Sequence, residues 1–300
     1  MKEVCTLCRQ TILLNKHRVL QAFIGLLALS ALVFSQQSRK EPLPSSDSRR
    51  QKRISSLPQQ IDSLPFTPPS HSLKKPPALP PVTSLAVLHG RRDKKSVALT
   101  FDACSTRRPS HYDAQITKIL VETKTPATLF LGGKWMEEEA EQTKYLASIP
   151  YFELGNHTFL HPHLVRMSDD RIRQELSWTQ EVLYSLTGKQ PTMFRPPYGE
   201  EDDRVVRIAA SMGLTTIQFD LASGDPDSSI SKERLTEYVS SMAKSGSIFV
   251  MHINQRGWHT AEALPEIISR LRKRGFTFVT VGELLSQLKP SQITKKKARD

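Results

Sequence analysis

The stretch Ile149-Pro150-Tyr151-Phe152-Glu153-Leu154-Gly155-Asn156-His157-Thr158-Phe159-Leu160-His161-Pro162-His163-Leu164 holds the pattern on which this chain is built. A short apolar run, Ile149 to Leu154, reads as a buried strand. Two histidines four residues apart come soon after it, and then a helix. Imidazoles at that spacing fall on one side of a turn or helix start, where both can point at one metal ion. Alone, such a pair is weak, because two unrelated histidines near a strand end look the same. Its weight comes from four other candidate side chains that also stand just past strand ends.

Working outward, the same unit recurs on both sides. Upstream, Ser96 to Phe101 is an apolar, β-branched strand ending at Asp102. A helix over about 110–122, with Ile116, Ile119 and Leu120 on one face, a strand over 127–131 and a helix over 134–147 follow. Downstream, Ser168 caps a helix whose Ile172, Leu176, Leu183 and Leu186 keep helical spacing, with Gly188 as its stop. Thr192 to Phe194 is a short strand running into Arg195-Pro196-Pro197-Tyr198-Gly199. Helix 203–212, strand 214–219 ending at Asp220, helix 232–244 and strand 247–251 ending at His252 come next. Helix 260–274, strand 276–281 and a last helical turn over 282–288 close the pattern.

Seven strands alternating with helices over 96–288 predict an α/β fold with a parallel sheet. No Gly-rich phosphate loop follows any strand, which argues against an open doubly wound sheet. In an α/β barrel the chemistry gathers at the C-terminal ends of the strands. Asp102, His157, His161, Arg195, Asp220, Asp225 and His252 are expected there. Seven strands in this length suggest a barrel smaller and less regular than the eight-stranded one.

The rest of the chain is organised differently. Val19 to Ser35 is almost wholly apolar and reads as a transmembrane anchor, or else a signal peptide with Val33 and Ser35 near its cleavage site. Residues 1–18 are a basic region before it. Residues 36–95 are rich in Pro, Ser and Lys/Arg, a disordered linker, and ten of the 20 prolines lie between Pro42 and Pro81. Residues 289–300 are a basic tail. The net charge of +12 belongs to these flanks: residues 96–288 carry 21 Lys+Arg against 24 Asp+Glu. That distribution removes the main support for a nucleic-acid partner. Cys5, Cys8 and Cys104 do not make a disulfide framework. Basic residues on both sides of the segment leave its orientation open; the expected location, the cell envelope with the domain anchored outside the cytoplasm, or secreted if the segment is cleaved, follows from the activity that the motifs imply.

Taken by type, the strand-end residues suggest metal-assisted hydrolysis. Two imidazoles hold a divalent metal, a carboxylate serves as base, another histidine as acid, and an arginine keeps the carboxylate ionised. Each residue also has a structural alternative: Asp102 as a turn cap, Arg195 in a plain ion pair, His252 as a satisfied strand-end histidine.

Thr100-Phe101-Asp102, His157-Thr158-x-x-His161, Arg195-Pro196-Pro197-Tyr198-Gly199, Phe219-Asp220…Asp225 and Val250-Met251-His252, in that order, resemble the polysaccharide deacetylases of carbohydrate esterase family four. The resemblance spans about 96–288. It implies a distorted seven-stranded (β/α) barrel and metal-dependent removal of acetyl groups from N-acetylated sugars, with Asp102 as general base and His157 and His161 as metal ligands. It further implies that Arg195 pairs with Asp102 and that the Tyr198 N–H holds the oxyanion. His252 would protonate the leaving amine, held charged by Asp225, and Ile248 and Val250 would wall the acetyl pocket. The metal expected is zinc, with cobalt, nickel or manganese as alternatives. Three positions depart from the family pattern. Ala103 stands where a ligand aspartate is usual, so water is expected in the third place, with weak metal binding; Cys104, one residue beyond, is a lesser candidate. Ala222-Ser223-Gly224-Asp225-Pro226 lacks the usual first Asp and the Trp. His163 replaces a frequent acidic residue. The substrate expected is peptidoglycan, with a chitin-like or exported polysaccharide as the alternative glycan. A catalytically silent glycan-binding relative is the competing class.

Overall fold

The computed structural model describes residues 86–106 and 109–288. The elements run β1 (Ser96–Ala103), α1 (Ala114–Glu122), β2 (Ala127–Leu131), α2 (Gly133–Glu138), α3 (Ala140–Ser148) and β3 (Phe152–Asn156). They continue with α4 (Asp169–Thr187), β4 (Met193–Phe194), α5 (Asp203–Ser211), β5 (Thr215–Thr216) and β6 (Leu221–Ala222). Then come α6 (Lys232–Met242), β7 (Ile248–His252), α7 (Thr260–Lys273), β8 (Thr277–Phe278) and α8 (Val281–Ser286). Seven parallel strands lie in the order β5-β4-β3-β2-β1-β7-β6 and curl into a distorted barrel, with β8 paired to the start of β1.

β1 is the axis of the sheet, buried along its whole length. Side chains alternate across a strand, and here the alternation divides the core. Val97, Leu99, Phe101 and Ala103 of β1, Leu129 and Leu131 of β2, and Phe249 and Met251 of β7 join the cluster under the helices. Ala98, Phe130 and Ile248 instead meet Val281 and Leu284 inside the barrel. Thr100 and Asp102 continue that inner face towards the C-terminal mouth. A third cluster packs Ile172 and Leu176 of α4 against Val205 and Ile208 of α5.

The caps follow the local sequence. Ser168 accepts the Arg171 N–H at 3.3 Å to start α4, and Gly188 ends it at φ 69°. The helix expected over 134–147 is two helices, because Glu139 leaves helical dihedrals (φ −118°, ψ 49°) and turns its carboxylate to the Tyr112 N–H. Strand 276–281 shrinks to two residues, since β1 pairs with β8 only at Ser96 and Val97 and with β7 from Ala98 onward. β4 is confined by Pro191 and Pro196, which cannot donate to a ladder. β6 is an eighth strand that the sequence reading missed.

The packed structure also begins earlier than the expected domain start at Ser96. Val87 is buried and its N–H donates to the Thr216 carbonyl at 2.9 Å. The apolar segment 19–35, the tail 289–300 and most of the linker lie outside the described residues. Among the described residues, no helix is long and apolar enough to cross a membrane.

Candidate active site

Asp102 and His252 are the last inner-face residues of neighbouring strands and are partners in the β1–β7 register. Each has a dedicated counter-group. Arg195, at the end of β4 and fully buried, donates from Nη1 to Asp102 Oδ1 at 2.9 Å and to Thr100 Oγ1. Its guanidinium lies 4.1 Å from the Phe130 ring centroid. Burial pulls the Arg195 pKa down, and the Asp102 charge opposes that shift. Asp102 Oδ2 faces the other way, 3.8 Å from His157 Nε2.

His252 keeps 22 % of its side chain exposed and donates from Nδ1 to Asp225 Oδ1 at 2.9 Å. Asp225 is buried and also accepts from the His252 N–H, Thr260 Oγ1 and Ser223 Oγ. A carboxylate with that many donors is fixed in orientation, so the Nε2 edge of His252 is directed away from it.

The two histidines of the quoted stretch come together across a strained loop. Thr158 (φ 64°) and His161 (φ 57°) adopt left-handed backbone conformations, each costing on the order of 1–3 kcal/mol. Two contacts hold the loop there. Glu175, buried on α4, accepts both the Phe159 and Leu160 N–H groups at 2.8 Å. The first N–H groups of α2 donate to the Thr158 and Phe159 carbonyls. Gly133 makes this docking possible, because a Cβ there would lie 2.2 Å from the Phe159 ring.

The imidazole rings of His157 and His161 sit 4.9 Å apart. His157 Nδ1 is 2.8 Å from the Arg195 carbonyl, which can only accept, so Nδ1 carries the proton and Nε2 offers its lone pair. Burial lowers the pKa of His157, and burial with neighbouring positive groups lowers that of His161 well below the usual range. Both rings are therefore neutral, as ligands must be. His161 Nδ1 is buried without a hydrogen-bond partner. Together with Cys104, which offers Sγ, these histidines present three ligand atoms within 4.8 Å of one another. A soft-to-borderline set with an orphaned buried nitrogen fits a divalent metal.

Tyr198 follows Arg195 in a left-handed turn (φ 58°) and stacks on His163 at 4.1 Å between centroids. His163 is buried and bonded through Nδ1 to Glu200 at 2.9 Å. Val250 precedes His252 by two residues on the inner face. Ile248 lies two residues further down, about 13 Å from the mouth at a strand rise of about 3.3 Å per residue, and packs with Ala98 and Leu284. Asp220 does not reach the mouth either: it accepts from Arg92, Ser247 Oγ and the Ile248 N–H, fixing the start of β7.

Glu175, Glu200 and Asn254 were missed by sequence reasoning. Glu175 did leave a signal, an acidic residue inside the apolar face of Ile172, Leu176 and Thr179. Nothing local distinguished Glu200 or Asn254.

A parallel α/β barrel brings a carboxylate–arginine pair, a carboxylate–histidine pair and a His-His-Cys cluster together at its C-terminal mouth, the make-up of a hydrolase site. A family model described as polysaccharide deacetylase matches residues 89–217. A peptidoglycan-N-acetylglucosamine deacetylase of Bacillus cereus is 30 % identical over 203 residues, 67 % of this chain and 72 % of that protein. The peptidoglycan-N-acetylmuramic acid deacetylase PdaA of Bacillus subtilis is 28 % identical over 199 residues, 65 % of this chain and 73 % of that one. A solved structure of a family 4 carbohydrate esterase pseudoenzyme from Bacillus anthracis superposes with a TM-score of 0.63 at 29 % identity, covering 69 % and 70 % of the two chains. The chain belongs to the polysaccharide deacetylase family, carbohydrate esterase family 4, hydrolases that act on N-acetyl amide bonds and depend on a metal.

Proposed function

We propose that this protein removes acetyl groups from an N-acetylated glycan outside the cytoplasm, with peptidoglycan as substrate. The observation that carries the reading is the opposition of two fixed pairs, Asp102–Arg195 and Asp225–His252, across one rung of the sheet beside the metal-ligand cluster. His157 and His161 would hold the metal, zinc by ligand type, which when bound supplies Lewis acidity towards the acetyl carbonyl.

The protein groups divide the proton work. Asp102 takes a proton from the attacking water at Oδ2, the oxygen directed at His157, while Arg195 holds Oδ1. The Tyr198 N–H stabilises the developing oxyanion. His252 delivers a proton from Nε2 to the departing amine, and Asp225 stabilises its charged form. Val250 supplies the inner wall of the acetyl site, and Ile248 supports it from below. The apolar segment 19–35 and the basic flanks support a membrane-held position near the cell wall.

The second reading, a silent glycan-binding relative, is favoured by Ala103 and by the likeness to a family pseudoenzyme. Acetate release decides between them. Incubation of the full chain with peptidoglycan and with chitin oligomers, with and without added zinc, should release acetate from peptidoglycan in a metal-dependent way. Release from chitin oligomers alone would move the substrate assignment to the other glycan. Binding of peptidoglycan without acetate from either substrate would establish the silent reading.

A further inference from the structure

We infer that Cys104 is the third protein ligand of the metal site, giving a Cys-His-His centre in place of an aspartate-containing one. The inference rests on the metal-dependent reading above and deepens it. Three observations carry it. Strand alternation places Ala103 in the helix-side apolar cluster with Leu131 and Trp135, whereas residue 104 follows on the inner face of Thr100 and Asp102. Among the described residues, the metal-capable group at this mouth is Cys104, His157 and His161, with ligand atoms within 4.8 Å. The Nδ1 of His161, in the same group, is buried and has no hydrogen-bond partner.

The cysteine is also placed in advance. Its carbonyl accepts from Ser110 Oγ at 2.6 Å and from Asn254 Nδ2 at 2.8 Å, and the preceding Ala103 carbonyl accepts the Gly132 N–H at 2.8 Å. These bonds tie the end of β1 to two separate loops, so Cys104 does not sample the range of a free loop residue. Zinc bonded to sulfur at about 2.3 Å and to imidazole nitrogen at about 2.0–2.1 Å needs ligand atoms closer than 4.8 Å. The inference requires side-chain rotation at Cys104 or His161 to close that gap. On binding, the Sγ–H bond breaks, its proton leaves to solvent and the electron pair becomes the sulfur–metal bond. Thiolate in the set favours zinc and cobalt over manganese or magnesium.

Cobalt(II) reads this ligand directly. The protein is the full chain with Cys5→Ser and Cys8→Ser, which leaves Cys104 as its one thiol, since the sequence has three cysteines. Metal-free protein titrated with cobalt(II) should bind one equivalent and develop a near-ultraviolet thiolate-to-cobalt charge-transfer band. Cys104→Ser should lose that band and bind zinc more weakly by at least roughly 10–100-fold, the loss that follows removal of even an outer-shell partner. One equivalent of cobalt bound without the charge-transfer band would overturn the inference, as would unchanged zinc affinity in Cys104→Ser. If Cys104→Ser does not fold by circular dichroism, the cobalt spectrum of the Cys104 chain decides alone. Acetate release separates this inference from the functional reading. A thiolate–cobalt band in a protein that deacetylates nothing leaves the Cys-His-His centre standing and removes the deacetylase reading. Acetate release by a protein with no such band does the reverse.

Discussion

The two ends of the barrel are built from opposite materials. At the C-terminal mouth, Arg195, Asp102, Asp225 and His157 are buried ionisable groups held in pairs or clusters. At the foot, Ala98, Ile248, Val281 and Leu284 fill the interior with aliphatic side chains. Besides Asp220 at the start of β7, Glu153 is an ionisable group at this end. It accepts from Thr128 Oγ1 and the Gly282 N–H at 2.9 Å each, and burial raises its pKa. Burying charge is costly unless each group is partnered. The difference shows where the fold carries that cost and where it recovers stability. Substitutions at the two ends should therefore separate activity from folding.

The largest effect is expected at the mouth. Asp102→Asn and His252→Ala should each lower acetate release by about 10²–10⁴-fold, with thermal unfolding little changed. A variant that keeps near-normal activity removes that residue from the mechanism and weakens the contrast between the ends. At the foot, Ile248→Ala should cost about 2–5 kcal/mol by leaving a cavity, measured by denaturant unfolding. Its activity per folded molecule should stay within about twofold of the parent's; the transition-state arithmetic gives a few tenths of a kcal/mol for such a ratio. A large activity loss would place Ile248 in the acetyl pocket after all.

Asp225→Asn tests whether the mouth also bears on stability. The buried carboxylate accepts from three side-chain or backbone donors besides His252 Nδ1. An amide oxygen replaces only part of that capacity, so a loss of about 1–3 kcal/mol is expected, seen as a lower denaturant midpoint. An unchanged midpoint would mean that Asp225 serves His252 alone.

The smallest effect concerns Glu153 and carries a defined sign. Its folded pKa is raised, so the folded state holds the proton more tightly than the unfolded chain. The stabilisation this gives is present below the unfolded carboxylate pKa and is lost as pH rises through the folded value. Glu153→Gln removes that dependence. The parent should therefore lose stability relative to the variant between acidic and neutral pH. Denaturant midpoints of both proteins across that range check the sign, and a gap moving the other way would refute the assignment.

How much of this was legible in the sequence depended on whether the signal was local. β1, β2 and β7 are largely apolar runs and β3 begins within one, and they fall where the sequence pattern placed them, within a few residues. β6 is only Leu221–Ala222, too short to register as a run, and β8 is cut short by competition for β1. Neither cause is visible in a window of sequence. The site divided in the same way. Asp102 and His252 could be placed because they end the inner faces of β1 and β7, His157 and Arg195 because each directly follows a strand, and His161 only by its spacing from His157. Asp220 misled because it follows a predicted strand yet serves the far end of β7. Ala103 drew attention as a substituted ligand position, although the step of two from Asp102 already pointed to Cys104. The Glu175 clamp required α4 and the histidine loop to meet, which is a tertiary fact.

The shared rung of Asp102 and His252 has a consequence for how this domain can diversify. Their backbones are hydrogen-bonded neighbours in one sheet, and adjacent strands stand about 4.7–4.9 Å apart. The gap between Asp102 and His252 is thus a lattice constant of the sheet and not a property of any loop. The 223–226 and 253–259 segments are free of that constraint, since they lie beyond the strand ends. Lengthening, shortening or recharging those segments can reshape the surroundings of the pair while the distance between the two stays the same. A lineage carrying this sheet can therefore alter what surrounds the pair without relearning its chemistry.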